Sequence, residues 1–285
     1  MFGLLKKFID LLLYGNFWIA AGALAMSWQS QLVFTGQIQW DALASFVFFS
    51  TLFLYALHRI VGISKLHEYF QLERYSVIAT FKTHIQFYAL IGFIGTAISF
   101  FYLTRSVQAA LVIPGLLSLG YVVPFLGRKK RLRDFNHIKI FLVAIVWAWV
   151  SVLLPALHSQ EPLSLALGLM ILERALFIFA ITLPFDIRDL KVDMHSEVKT
   201  LPAQMGWIKT KYLAQGLVLL ALLLAFANYQ LQFYSWSQLL ALFIAYLITA
   251  FLIHRSHPDR HDYFYTGLMD GTMILQFILL WSMQS

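Results

Sequence analysis

Apolar residues run through this chain in long unbroken blocks separated by short polar segments, without the strict alternation that a half-buried strand would show. Nine blocks stand out, at 9–27, 41–57, 84–103, 107–126, 138–157, 163–185, 212–230, 234–253 and 264–282. A helix crossing a bilayer core needs about 20 predominantly apolar residues, and each block is close to that length. The pattern predicts an all-α, multi-pass membrane protein with nine transmembrane helices in one bundle. No polar segment is long enough for a separate soluble unit, so 1–285 reads as one membrane-embedded domain.

Composition agrees, with 60% hydrophobic and only 12% charged residues, too few polar side chains to cover a soluble globule of 285 residues. Charge then orients the bundle, because Lys and Arg favour cytoplasmic loops. With the N-terminus inside, the longer polar segments 58–83, 127–137, 186–211 and 254–263 fall on the cytoplasmic face. All but two of the 21 basic residues then lie inside, the exceptions being Arg105 and Arg174. The N-terminus is expected in the cytoplasm and the C-terminus outside. Lys6 and Lys7 before the first block resemble the start of a signal peptide, but no small-residue cleavage site follows, so the block reads as a retained helix. Without an evident organellar presequence, a bacterial inner membrane is the expected location. The net charge of +7 suits anionic lipid headgroups as partners, and nothing points to nucleic acid. The absence of cysteine excludes disulfides and thiolate-ligated metals or haem.

The segment 184–206, PFDIRDLKVDMHSEVKTLPAQMG, carries the chemistry. Asp186, Asp189 and Asp193 share one face if the preceding helix continues past Pro184. Three carboxylates on one face repel each other unless a cation sits against them. Hard oxygen ligands at this spacing suit Mg²⁺, which keeps several waters and combines one or two carboxylates with substrate phosphates. Arg188, Lys191 and Lys199 supply positive charge that a diphosphate would require. The same residues could equally form a solvated interfacial loop of mixed charge.

This segment resembles the second aspartate motif of the UbiA-type intramembrane prenyltransferases, a DxxDxxxD-like run followed by Lys-Thr-Leu-Pro. Here it reads Asp186, Asp189, Asp193, then Lys199, Thr200, Leu201 and Pro202, with Met205 and Gly206 closing the match. The nine-helix plan and the basic segment YVVPFLGRKKRLRDF after the fourth helix are similar to that family too. The resemblance implies transfer of a prenyl group from a prenyl diphosphate to a lipophilic, aromatic or quinone-type acceptor on the cytoplasmic face. It assigns Asp186 and Asp189 to Mg²⁺, with Asp193 adjusting the site, and the departure described next leaves one ion expected rather than two. Arg59, Lys65, Arg128, Lys129 and Lys199 would hold the diphosphate, and the ring of Tyr55 or Tyr121 would stabilise the developing cation.

One departure from the family bears on all of this. The family's first aspartate motif is missing, since no Asp occurs between Asp41 and Asp134. Aligning Tyr55 with the family Asn puts Arg59 and Ile63 where two carboxylates belong, and Glu68 and Glu73 are poorly spaced substitutes. Arg59 and Lys65 could grip a diphosphate directly, because a guanidinium matches phosphate oxygens in bidentate fashion. The missing motif also supports an alternative, a non-catalytic relative that binds a polyprenyl phosphate or phospholipid headgroup.

Glu173 and Arg174 fall mid-helix, where ionisable groups are functional candidates by default because each costs at least ~2.5 kcal/mol to insert. They read either as interhelix hydrogen bonds or as cavity groups, and they are the sole motive for a third, transporter reading. The loop HRSHPDRHD at 254–262 holds His254, His257, His261, Asp259 and Asp262, which invites a metal reading, but Pro258 breaks any fixed helical face, so a solvated loop near anionic lipid is the simpler reading. Asp270 beside Gly271 is a stronger polar-site candidate. Trp28, Trp40, Trp207 and Trp236 sit near block ends, as an aromatic belt requires.

Overall fold

The structure, a computed structural model, describes residues 2–63, 81–123, 132, 138–195 and 200–284. In chain order the helices are α1 (Phe2–Tyr14), α2 (Phe17–Thr35), α3 (Ala42–Ile63), α4 (Lys82–Phe101), α5 (Arg105–Ala110), α6 (Val112–Val122), α7 (Ile138–Ala148), α8 (Leu154–His158), α9 (Leu165–His195), α10 (Leu201–Met205), α11 (Trp207–Gln230), α12 (Trp236–Arg255) and α13 (Asp270–Ser282). A π-helical turn, Trp149–Leu153, joins α7 to α8, and another, Phe264–Met269, precedes α13. Among the described residues, eight helical stretches are long and apolar enough to cross a bilayer. The bent pair Leu5–Tyr14 and Phe17–Thr35 makes a ninth when taken as one span.

That bend corrects the expected first span at 9–27. The chain turns by 57° between α1 and α2, where Asn16 adopts a left-handed φ of 68°. Gly15 permits the turn, since a Cβ there would lie 2.1 Å from the Leu11 carbonyl oxygen. Beyond the bend α2 runs on to Thr35, so most of the expected outer loop 28–40 is helix, with Gln29 and Ser30 fully buried. The expected fourth span, 107–126, begins earlier at Arg105, and its helix ends at Val122.

Proline explains two long-range hydrogen bonds. Pro155 has no N–H to offer the carbonyl of Ser151 four residues earlier, and the Ser30 hydroxyl donates to that carbonyl instead, at 2.6 Å. Pro114 likewise leaves the Ala110 carbonyl free, and the Trp149 indole donates to it at 3.0 Å. Each orphaned backbone acceptor therefore ties one helix to another in a medium without water.

Helix α4 shows the lipid-facing side plainly. Phe87, Ile91, Ile94 and Ile98 form an exposed stripe along it, while the opposite side presses on α3 through Gly92 and Gly95. A Cβ on Gly92 would come within 2.8 Å of the Phe53 backbone nitrogen. The continuous core gathers around α9, which packs against α7 and α11.

Candidate functional site

Helix α9 does continue through Pro184 to His195, carrying Asp186 and Asp189 past the end of the apolar stretch. Asp186 is buried at 4% exposure. Its Oδ1 accepts from the Lys139 ammonium of α7 at 2.7 Å, whereas its Oδ2 has no hydrogen-bond partner among the described residues. Asp189 accepts two parallel bonds from the guanidinium of Arg188, at 2.9 and 3.0 Å. The third branch of Arg188 donates to Asp262 at 2.9 Å, and the guanidinium lies over the rings of Phe185 and Tyr265.

The opposite wall comes from the chain termini. Arg59 of α3 lies over the Tyr14 ring, 5.6 Å from its centroid, and donates to the Leu13 carbonyl at 3.4 Å. Tyr14 lies within electrostatic reach of Asp262, and the Tyr263 hydroxyl donates to Asp10. Asp270, at the start of α13, makes no hydrogen bond to a described residue but lies within electrostatic reach of Tyr55, Arg59, Arg188 and Asp262. The acids within electrostatic reach of Arg59 are Asp262 and Asp270, from the approach to α13 and its first residue rather than from α3.

Beneath this charged end lies a cavity of about 190 Å³ between α2, α3, α6 and α7. Leu54, Leu117, Leu142, Val143, Val146 and Val150 make most of its wall apolar, with Ser50, Thr51, Ser118 and Ser151 as polar points. Tyr55, His58 and Tyr121 line it too, the His58 and Tyr121 rings 6.2 Å apart. Lys139 is one turn before Leu142 and Val143 and two before Val146 on α7, so the Lys139–Asp186 pair marks the charged end of the cavity.

The structure thus brings Tyr55 and Tyr121 together in one cavity and places Arg59, Asp186 and Asp189 at the same end of the bundle. Lys65, Arg128, Lys129 and Lys199, together with Glu68 and Glu73, lie outside the described residues, as does the Asp193 side chain. Among the described residues no group of three or more His, Asp or Glu side chains is gathered as a metal site. Buried Asp186 keeps one oxygen without a partner and Asp189 lies one turn further on, its two oxygens spanned by Arg188, so these two carboxylates are the residues that could hold a hard cation. Asp10 escaped notice in the sequence, Lys139 counted there only as a basic loop residue and Asp262 only as a member of the loop 254–262; all three lie too far from 184–206 for spacing to connect them.

Glu173 and Arg174 lie apart from this cavity. Glu173 accepts from Tyr246 at 2.6 Å and from Tyr234 at 2.9 Å, and Arg174 donates to the Met26 carbonyl at 3.0 Å. Burial and then the Glu173 charge hold the Tyr234 hydroxyl well above its ordinary pKa, keeping it a donor. Both residues join helices, as the first of their two readings expected, and the motive for a transporter falls away. In the loop 254–262, Asp259 pairs with Lys191 at 2.6 Å and is held below the usual carboxylate range by it.

No family model and no curated protein matches the sequence. Solved structures do match in fold. A UbiA homolog from Archaeoglobus fulgidus bound to DMAPP and Mg²⁺ superposes with a TM-score of 0.65 at 11% identity, covering 96% of this chain and 99% of that one. A digeranylgeranylglyceryl phosphate synthase gives 0.58 at 14% identity, over 98% and 99% of the two chains. The apo structure of a UbiA homolog from Aeropyrum pernix K1 gives 0.58 at 13%, over 96% and 97%.

Proposed function

The chain has the UbiA-type fold, and from that premise we propose that it is an intramembrane prenyltransferase, moving a prenyl group from a prenyl diphosphate to a lipophilic acceptor of aromatic or quinone type. The observation that carries the reading is the juxtaposition of a cluster of paired charges, Asp186, Lys139, Asp189 and Arg188, with a tyrosine-lined apolar cavity directly beneath it. The whole of 1–285 acts as one unit in a bacterial inner membrane, with the charged end in the cytoplasm.

The chemistry asks for three things. A diphosphate must be held while its bond to the allylic carbon breaks and both electrons leave with oxygen; Arg59, Lys139 and Arg188 provide positive charge for this, and the motif resemblance assigns Lys65, Arg128, Lys129 and Lys199 the same task. Mg²⁺, when held by Asp186 and Asp189, would neutralise further phosphate charge. The allylic cation must be sheltered from water, which the apolar cavity does while the Tyr55 and Tyr121 rings present their negative faces. An aromatic acceptor carbon then bonds to the prenyl carbon and loses its proton to the released diphosphate.

The test is labelled farnesyl and geranylgeranyl diphosphate with a panel of quinone-type acceptors, with and without Mg²⁺. Asp186→Asn combined with Asp189→Asn should abolish Mg²⁺-dependent diphosphate release, and a double variant that still turns over would refute the site. A second reading has its own observation, namely that Arg59 stands where the family carries acid. In that reading the chain binds a polyprenyl phosphate or phospholipid headgroup without transfer, and tight Mg²⁺-independent binding with no release under any condition would favour it.

A further inference from the structure

A second polar depression opens on the same end of the bundle and shares no lining residue with the cavity. It encloses about 610 Å³ between the start of α11 and the loop that follows α12. Lys211, Arg255 and Arg260 surround it together with three histidines, and its one acid, Asp259, is already paired with Lys191. None of the three cations meets a carboxylate among the described residues. Each is instead positioned by uncharged groups. Lys211 donates to the His254 carbonyl at 3.1 Å and lies over the Trp207 ring, Arg260 donates to the Arg255 carbonyl at 3.0 Å and lies over Phe264, and Arg255 lies over Phe251. Three cations held around one depression, none of them paired with a carboxylate among the described residues and its one acid engaged by Lys191, form an anion site.

What lies below the depression narrows the ligand. Leu247, Phe251 and Arg255 follow one another at four-residue steps along α12, so they form one stripe, and the two apolar members are 53% and 59% exposed. Tyr212, one residue past Lys211, is 66% exposed on α11. A basic bowl at the head of an exposed apolar stripe at a helix end matches a molecule with an anionic head and hydrocarbon tails lying parallel to the helices. Basic pockets between transmembrane helices recognise anionic lipid headgroups on this principle. We infer that this depression binds the phosphate of an anionic phospholipid, independently of the transferase chemistry and at a site separate from it.

The full chain purified in mild detergent, titrated with phosphatidylglycerol or phosphatidylcholine and read by native mass spectrometry, tests the assignment. Phosphatidylglycerol should be retained in preference to phosphatidylcholine. Its apparent affinity should fall about fivefold for each of Lys211→Gln, Arg255→Gln and Arg260→Gln, with Arg105→Gln at the opposite end leaving it unchanged. Equal retention of the two lipids, or retention unaffected by the triple variant, would overturn the site. Competition by millimolar inorganic phosphate without retention of phosphatidylglycerol would overturn the lipid assignment in favour of a soluble phosphate compound. Should the triple variant fail to fold, the unmodified chain decides: phosphatidylglycerol must shield Lys211 from an amine-reactive label where phosphatidylcholine does not, and equal labelling refutes the proposal.

Discussion

Replacing Lys139 by Met would leave the Asp186 carboxylate buried without the ammonium that lies 2.7 Å from it. The two partners are unequally placed, since the Asp186 side chain is 5% exposed and that of Lys139 19%. Removing one member of a buried pair costs about 3–5 kcal/mol, because the survivor stays desolvated and uncompensated, and the partial exposure of Lys139 puts the expectation near the lower end. At roughly 2–4 °C per kcal/mol for a chain of this size, Lys139→Met should lower the midpoint of thermal unfolding in mild detergent by roughly 6–12 °C. Asp186→Asn should cost far less, because the Lys139 ammonium can reach water, and the double variant should recover most of the loss. Mg²⁺ adds a further discriminating arm. If Asp186 binds the ion, adding Mg²⁺ should stabilise Lys139→Met by RT ln(1 + [Mg²⁺]/Kd), about 1.4 kcal/mol for each tenfold excess over Kd, and should leave the double variant unaffected. A double variant no more stable than Lys139→Met would refute the reasoning, since the stranded charge would then not be the source of the loss.

Three other outcomes follow from the packing and the outer polar groups. Tyr246→Phe removes a 2.6 Å donor from buried Glu173 and should destabilise the fold by about 1–3 kcal/mol, seen in the same thermal assay, with little change in prenyl diphosphate binding. Gly92→Ala should force α3 and α4 apart against the Phe53 backbone and cost about 1–3 kcal/mol; a neutral result would mean the two helices can separate freely. Burial alone would raise the Asp41 carboxyl, but hydrogen bonds from His158 and from the Ala44 N–H outweigh it and hold the group below its ordinary value. Its contribution is therefore present above the carboxylate range and lost as the pH falls through it. Unfolding midpoints measured from neutral to acid pH should drop less steeply for Asp41→Asn than for the unmodified chain.

The sequence alone determined the helical plan, because a bilayer admits few ways of satisfying a backbone and long apolar blocks report most of them. Block length and the gathering of Lys and Arg on one set of loops needed no tertiary information, whereas the spacing of Asp186 and Asp189 placed them on one helical face only on the condition that the helix ran on past Pro184. Only the tertiary structure decided what those acids face. Lys139 meets Asp186 from 47 residues away, and Arg188 bridges Asp189 to Asp262, a separation set by which helices pack side by side and not by any local periodicity. The break at Gly15–Asn16 was equally hidden, since a left-handed residue inside an apolar block does not alter its hydropathy. Once the chain bends there, α1 brings Leu13 and Tyr14 against Arg59, at the place where the sequence had shown an acidic motif to be absent. Glu173 shows the same division: its cost in a membrane was legible from its position, while its two tyrosine partners, brought from α12 and the turn before it, were a product of the fold.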